Sequence, residues 1–458
     1  GFRHGMARLP VSRTHVRLCL ACVIALASTS ARNARASAFD VYGFGPEGLA
    51  EASARVARAD DGSAAFYNPG GIAFGKGYRF RLSGSAAISG LKAQGEHQEL
   101  SNPVGGTLAA DLDVPLEGPL AKRVRVGLGM YLLPTTLMHL QTRNASTPFF
   151  PYYDNRTQRL TVIPAISLRP WERLGIGLGA NVLTGIAGPV DVREGQSRAI
   201  ESSIRQEAET VAALVAGARL ELSQRLRVGA TFRQKFGVPL DIRTSASIAG
   251  VPLLVDLSSA EALYAPMAVV LGGAFDVTGD LTVEADATYH RWSAWSGPLL
   301  DVGATVSALS LSTHPPQGLY RDTWGGRGAA VWRVLRGNRN EVRLHAGGGY
   351  ETSMLDASKQ QGRTNLVDGA KVIVGLGGTA SWTDSAGRTL RVGAGVQAQR
   401  VGAYSQKKIA CTSVPCPADT VVGPDTSAPD QGITNPGYPK LEGSGMVYAV
   451  SIGVGVDL

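Results

Sequence analysis

From Gly77 to the C-terminus, apolar and polar positions alternate in short runs. In "LTVEADATYHRW" (Leu281–Trp292), Glu284, Asp286, Thr288 and His290 fall on one side and Val283, Ala285, Ala287 and Tyr289 on the other. Side chains in a strand point alternately to its two faces, so this period of two predicts a strand with one polar and one apolar side. "EVRLHAGGGYE" (Glu341–Glu351) sets Val342, Leu344, Ala346 and Tyr350 against Arg343, His345 and Glu351. "MVYAVSIGVGVDL" ends the chain with Met446, Tyr448, Val450, Ile452, Val454, Val456 and Leu458 on one face, and Ala449, Ser451, Gly453 and Gly455 on the other.

Fourteen such segments are predicted, starting near Tyr78, Gly106, Arg123, Gln158, Leu174, Val211, Arg225, Ala265, Leu281, Tyr320, Asn340, Val367, Leu390 and Gly445. Several are longer than a typical strand of a soluble sheet. Their connections alternate in length. Ser223–Arg225, Thr278–Asp280, Arg336–Asn340 and Asp384–Arg388 are tight turns, whereas 186–208, 240–264, 293–319, 351–366 and 403–444 read as long loops. An even strand number, tight turns at one end and long loops at the other predict an all-β, antiparallel transmembrane β-barrel of the bacterial outer-membrane kind. A large soluble sandwich is the alternative. Trp324 and Trp332 share an apolar face eight residues apart, roughly 20 Å along the membrane normal, which is near the separation of two interfacial aromatic girdles and favours the barrel.

The first residues read as an export signal. Met6 is the expected start, Arg8, Arg13 and Arg17 form a basic region, and "LCLACVIALA" (Leu18–Ala27) is too short to span a bilayer. "ASA" (Ala36–Ala38) fits a cleavage site, leaving Phe39 as the first mature residue. A lipid-modified Cys22 fits less well, because the apolar run continues past it. The expected organisation is a signal peptide at 1–38, an N-terminal segment at 39–77 and the barrel at 78–458. Localisation is expected in the outer membrane, reached by export across the inner membrane.

That signal changes the charge picture. The chain carries 45 Lys and Arg against 37 Asp and Glu, a net +8, but residues 1–38 hold six arginines and no acid, so the remainder is only +2. Nucleic acid therefore has no electrostatic support as a partner. Cys411 and Cys416 lie in a Pro/Ser/Thr-rich loop and predict a small disulfide rather than a metal site.

Residues 39–77 do not alternate. They are rich in Ala and Gly, with short helices expected at Glu47–Arg58 and Ser63–Tyr67 and a turn at Asn68-Pro69-Gly70-Gly71. A segment of this length has room to sit inside a barrel of this size.

Three stretches carry a resemblance. "GPEGLAEASARVARADDGSAAFYNPGGI" (Gly45–Ile72), "YHRWSAWSG" (Tyr289–Gly297), and "YRDTWGGRGAAVWRV" (Tyr320–Val334) followed by "RLHAGGGYETS" (Arg343–Ser353) resemble, in order, the hatch and three strands of the FadL/TodX family of outer-membrane transporters for long-chain fatty acids and other hydrophobic compounds. Departures are Gly70, where the family usually has Ala, and Leu458, where many outer-membrane barrels end in Phe. The resemblance implies a fourteen-stranded barrel plugged by residues 39–77 and passive transport of a hydrophobic ligand. Phe39, Phe44, Asn68, Pro69 and Gly70 are then expected at the hatch and ligand path. Lateral exit into lipid is expected at the third strand, where Pro134 would interrupt pairing beside Leu132, Leu133 and Leu137, with Asn68 and Pro69 as neighbours. Membrane lipid, lipopolysaccharide and the barrel assembly machinery are the implied partners of a monomer without cofactor or metal.

Other readings carry less. "GIGLGA" (Gly175–Ala180) reads as small lumen residues rather than a nucleotide loop. Asp286 and His290 share the lumen face, which is the basis of an outer-membrane enzyme alternative. Arg227, Arg233 and Lys235 share one inner face as candidate partners for a ligand carboxylate, although pairing with lumen acids such as Glu284 and Asp286 is the more frequent outcome for such residues. A general polar-solute porin is the remaining alternative. The apolar "VPLLVDL" (Val251–Leu257) reads either as a ligand-greeting surface or as a short packed helix. The loops carry no motif that names the ligand.

Overall fold

The computed structural model describes residues 38–98, 100, 103–133, 147–154, 160–187, 190–194, 200–204, 207–248, 251–298, 301–306, 309–313, 318–360, 364–407 and 440–458. Fourteen of its strands form one ring: β1 Arg79–Ala93, β2 Val104–Asp113, β3 Val124–Leu132, β4 Thr161–Trp171, β5 Leu174–Ala187, β6 Glu207–Glu221, β7 Leu226–Arg233, β8 Met267–Asp276, β9 Leu281–Arg291, β10 Thr323–Arg336, β11 Asn340–Glu351, β12 Lys371–Thr383, β13 Thr389–Lys407 and β14 Lys440–Asp457. Each pairs antiparallel with its sequence neighbours. Arg79 of β1 pairs with both Asp457 of β14 and Asp111 of β2, so the sheet closes without an edge. The fourteen expected segments match these strands in order.

Alternation sets the two faces. Trp324, Trp332, Ile452, Leu271 and Val374 are exposed on the outside, whereas Glu284, Asp286, Thr288 and His290 are buried inside. The outer face is thus an apolar band over closed strands, the pattern a bilayer requires. No helix among the described residues is long and apolar enough to cross a membrane.

Three expected loops are themselves sheet. Within 186–208, 240–264 and 293–319, strands Val190–Glu194, Ile200–Ile204, Phe236–Ile248, Val251–Ala265, Asp301–Val306 and Leu309–Thr313 form a second, six-stranded sheet at the long-connection end. "VPLLVDL" (Val251–Leu257) is strand, with Leu257 paired to Ile242, rather than a helix. Its β-branched residues suit a ladder that the hairpin with Phe236–Ile248 supplies.

Residues 38–77 run through the interior. They contain α1 Ala38–Tyr42, α2 Gly45–Ala50, α3 Ala64–Tyr67 and a 3₁₀ turn Pro69–Phe74. The helix expected over Glu47–Arg58 stops at Ala50. Ala52 (φ 49°) and Ser53 (φ 66°) lie in the left-handed region, which turns the chain so that Glu51 and Arg55 are buried together. Satisfying those two charges outweighs the strong helix preference of the alanines, which is small per residue in energy. The glycine-rich inner face has a matching cause. A Cβ at Gly177 would strike Pro69, one at Gly229 would strike Val56, one at Gly347 would strike Glu51, and one at Gly375 would strike Leu49. Backbone meets backbone there, and only glycine leaves the room.

Candidate functional site

The interior segment is fixed by polar contacts to strands around the ring. The N–H of Ala57 donates to Glu284 Oε1 at 2.7 Å, that of Val56 to Asp286 Oδ2 at 3.2 Å, and Arg58 Nε to Glu284 Oε2 at 3.2 Å. Thr231 Oγ1 donates to the Tyr67 carbonyl at 2.7 Å. His345 Nδ1 lies 2.7 Å from Glu51 Oε1. Burial alone would raise the Glu51 carboxyl, but Arg55 and Arg58 outweigh it and hold the group well below the ordinary range. The same contest, won by Arg55, Arg81 and Arg79, holds Asp61 at about 2.

Asn68 anchors the turn. Its Nδ2 donates to the carbonyls of Val56 (2.8 Å) and Ala218 (2.9 Å), and its Oδ1 accepts from the Gly70 N–H (3.1 Å). Gly70 is locked against β5 and β6. A Cβ there would lie 2.7 Å from Gly175 O and 2.8 Å from Ala218 Cα.

Two apolar clusters flank this segment. At the long-connection end, Tyr152, Tyr153, Tyr264, Trp292, Trp295 and Tyr320 pack together, with Trp295 stacked on Tyr264 at 5.4 Å between ring centres and 4.5 Å from Tyr320. Lys371 and Asp368 are fully buried beside them, 2.8 Å apart, and Lys371 Nζ sits 3.9 Å from the Tyr152 ring centre. The second cluster gathers Phe39, Phe44, Phe66, Tyr67, Tyr131 and Ile163, with Phe39 and Phe44 at 4.4 Å. Helix α1 belongs to both, through Val41 in the first and Phe39 in the second. At the tight-turn end the character changes. A cavity of about 630 Å³ is lined by Arg55, Arg58, Arg79, Arg219, Arg227 and Arg333 with acidic partners such as Asp60, Asp276 and Asp280.

No protein-family profile matches the sequence, and no curated protein sequence matches it. Solved structures do. A FadL homologue from Pseudomonas aeruginosa matches with a TM-score of 0.55 at 13% identity, covering 90% of this chain and 97% of its own. The toluene transporter TodX of P. putida matches with a TM-score of 0.53 at 13% identity, over 92% of this chain and 99% of that one. This chain has the FadL-type barrel fold. The toluene transporter TbuX of Ralstonia pickettii agrees, with a TM-score of 0.51, 15% identity, and coverage of 92% and 100%.

Within this FadL-type barrel the sequence-derived residues are distributed as follows. Phe39 and Phe44 are buried and stacked, and Asn68, Pro69 and Gly70 are buried. Leu132 is still paired, to Gly106 of β2, and Leu133 packs on the Phe39 cluster. Pro134, Leu137, Cys411 and Cys416 lie outside the described residues. The expected gap beside Asn68 and Pro69 involves residues from Pro134 onward, outside those described. Asn68 and Pro69 meet Gly217 and Gly177 of β6 and β5, because the wall presses inward where its small residues leave space. Among the described residues, the β4–β5 ladder is interrupted where Ile163 and Pro164 have no pairing with β5 although Val162 and Ala165 on either side do. Proline has no N–H to give.

The arginines are placed as follows. Arg227 pairs with Asp276 at 2.5 Å, near the tight turns. Arg233 donates to the Phe66 carbonyl at 3.2 Å and lies over the Phe66 ring at 4.6 Å. Neither reaches Glu284 or Asp286, which the interior segment has taken. Lys235 is half-buried past the end of β7. His290 faces Glu351 at 3.6 Å rather than Asp286, so the acid–imidazole pair of the enzyme alternative is not assembled. Sequence reasoning missed Glu51, Arg55, His345 and Lys371. Lys371 was signalled as a lone charge opening an otherwise small and apolar strand.

Proposed function

We propose that this protein is an outer-membrane channel for hydrophobic small molecules, long-chain fatty acids or aromatic hydrocarbons among them, with residues 39–77 acting as its plug. The observation that carries the reading is α1, whose Val41 and Phe39 join the aromatic cluster at the long-loop end to the cluster that reaches Ile163 and Leu133 at the wall. An apolar solute passing from one to the other stays out of water, which is worth about 0.8 kcal/mol per CH₂. Below the plug the lumen is lined by ion pairs, so continued descent would forfeit that gain. Sideways exit into lipid keeps it, and transport then needs no energy source. The kinds of molecule named for TodX and TbuX support this class of cargo.

Two places in the wall are candidates for the exit. One is the expected site at Leu132–Leu137. The other is favoured by the interrupted pairing at Pro164, directly behind Ile163. Uptake of radiolabelled oleate and of toluene into proteoliposomes, beside swelling with a sugar of similar mass, tests the reading. Sugar permeation through the intact protein without hydrophobic uptake makes it a polar porin instead. A disulfide formed between Cys substituted at Pro164 and at Ala180 seals the second candidate, and unchanged uptake eliminates it.

A further inference from the structure

We propose that the outer wall over β4–β8 holds one glycerophospholipid of the periplasmic leaflet, with an acyl chain in a groove and its phosphate on arginines at the tight-turn rim. The inference rests on the outer-membrane placement above, but not on transport. The wall is not uniformly convex there. A depression of about 760 Å³ lies on the outer face, walled by Ile166, Leu168 and Leu178 on one side and Phe232 on the other, over Ala216 and Ala218. Its lining is almost wholly apolar, and Leu178 and Phe232 are exposed. The depression has a cause within the fold. Gly175, Gly177 and Gly217 on the inner face let β5 and β6 lie directly on the Pro69–Gly70 backbone, so the wall sits deep, and the outward alanines leave the dent unfilled.

The groove is closed to water in a membrane, so its occupant is a chain that lipid can supply. Its tight-turn end decides which. Leu120 and Val124 reach that end. Beside them stand Lys122 and Arg123, and Arg173 follows in the β4–β5 turn, all exposed. None of the three belongs to an ion pair among the described residues. Arg123 donates to the Pro170 carbonyl at 2.8 Å, which holds its guanidinium over the rim. Trp171, 68% exposed in the same turn, marks the interfacial level, with Glu172 as the neighbouring carboxylate. Tight turns face the periplasm, and the leaflet on that side is phospholipid. A phosphate at Arg123 and Arg173 therefore sits at headgroup depth while its acyl chain fills the groove.

The test uses the whole barrel, stripped of lipid in detergent and titrated separately with dioleoyl-phosphatidylglycerol and dioleoylglycerol, and read by native mass spectrometry. One phosphatidylglycerol is expected to bind roughly thirtyfold more tightly than the phosphate-free lipid, from about 1 kcal/mol for each of the two arginines. Arg123→Gln with Arg173→Gln, both on exposed turn residues, should abolish that preference. Ala216→Leu with Ala218→Leu should weaken both lipids, whereas Ala394→Leu, exposed on β13, should not. Heat-dependent mobility on gels identifies variants that have not folded. Equal preference with and without the two arginines overturns the proposal, as does equal binding by the groove and β13 variants. A co-purified hydrophobic cargo in the groove in place of phospholipid overturns it as well. Because oleate uptake is measured separately, loss of the lipid site leaves the transport reading standing, and the reverse also holds.

Discussion

His345 of β11 and Glu51 of the interior segment face each other at 2.7 Å, both buried, one from the wall and one from the chain it encloses. Glu51 also accepts from Arg55 at 3.2 Å and from Arg58. Removing its charge leaves two buried guanidiniums without their shared partner, a loss of about 3–5 kcal/mol. Glu51→Gln is therefore expected to loosen the segment while the closed ladder keeps the barrel intact. Single-channel recording should show a quiet wild type and a flickering, conductive variant. A variant as quiet as wild type would remove Glu51 from the fastening.

Gly70 is one of two positions where this chain departs from the resemblance, and the geometry gives the reason. An alanine methyl would press on Ala218 Cα and the carbonyls of Gly175 and Gly217, all backbone atoms that cannot rotate away. Gly70→Ala should cost about 1–3 kcal/mol as overpacking. The measurement is the urea midpoint of the heat-modifiable folded form, and a midpoint equal to wild type would show that the wall yields.

Acid should release the segment at low pH and not near neutrality. Asp61, ordinarily at 3.8, is held at about 2, and Glu51 is also depressed. A depressed carboxyl stabilises the folded arrangement fully above its ordinary value and loses that contribution as pH falls toward its folded value. Seating should hold from pH 7 down to about 4 and fail between about 4 and 2. Conductance recorded across that range checks it, and opening already at pH 6 contradicts the assignment.

Cys411 and Cys416 are expected to be joined. Both lie in the connection between β13 and β14, and the export expected from the N-terminal sequence would place them in an oxidising compartment. Intact mass before and after reduction and alkylation should differ by two alkyl groups only after reduction. Alkylation of the freshly isolated protein without reductant would contradict the bond.

How much was legible in the sequence follows from range. Strand number, order and facing were set by alternation, a property of neighbours: Glu284 and His290 had to share a side because a pleat repeats every two residues. The turn at Asn68–Gly71 was equally local. What alternation cannot choose is a partner. Arg227 found Asp276 rather than Glu284 because ring register puts Asp276 near the same rim, while Ala57 and Arg58 arrive at Glu284 from 227 and 226 residues away. The three loops became a sheet because each hairpin met another at the same end of the ring. Asn68 lies against Gly217 because a glycine on β6 leaves room there for its side chain. Closure, curvature and the space left by missing side chains exist only once the whole ring has formed, and those three decided where the charges, the turn and the outer groove stand.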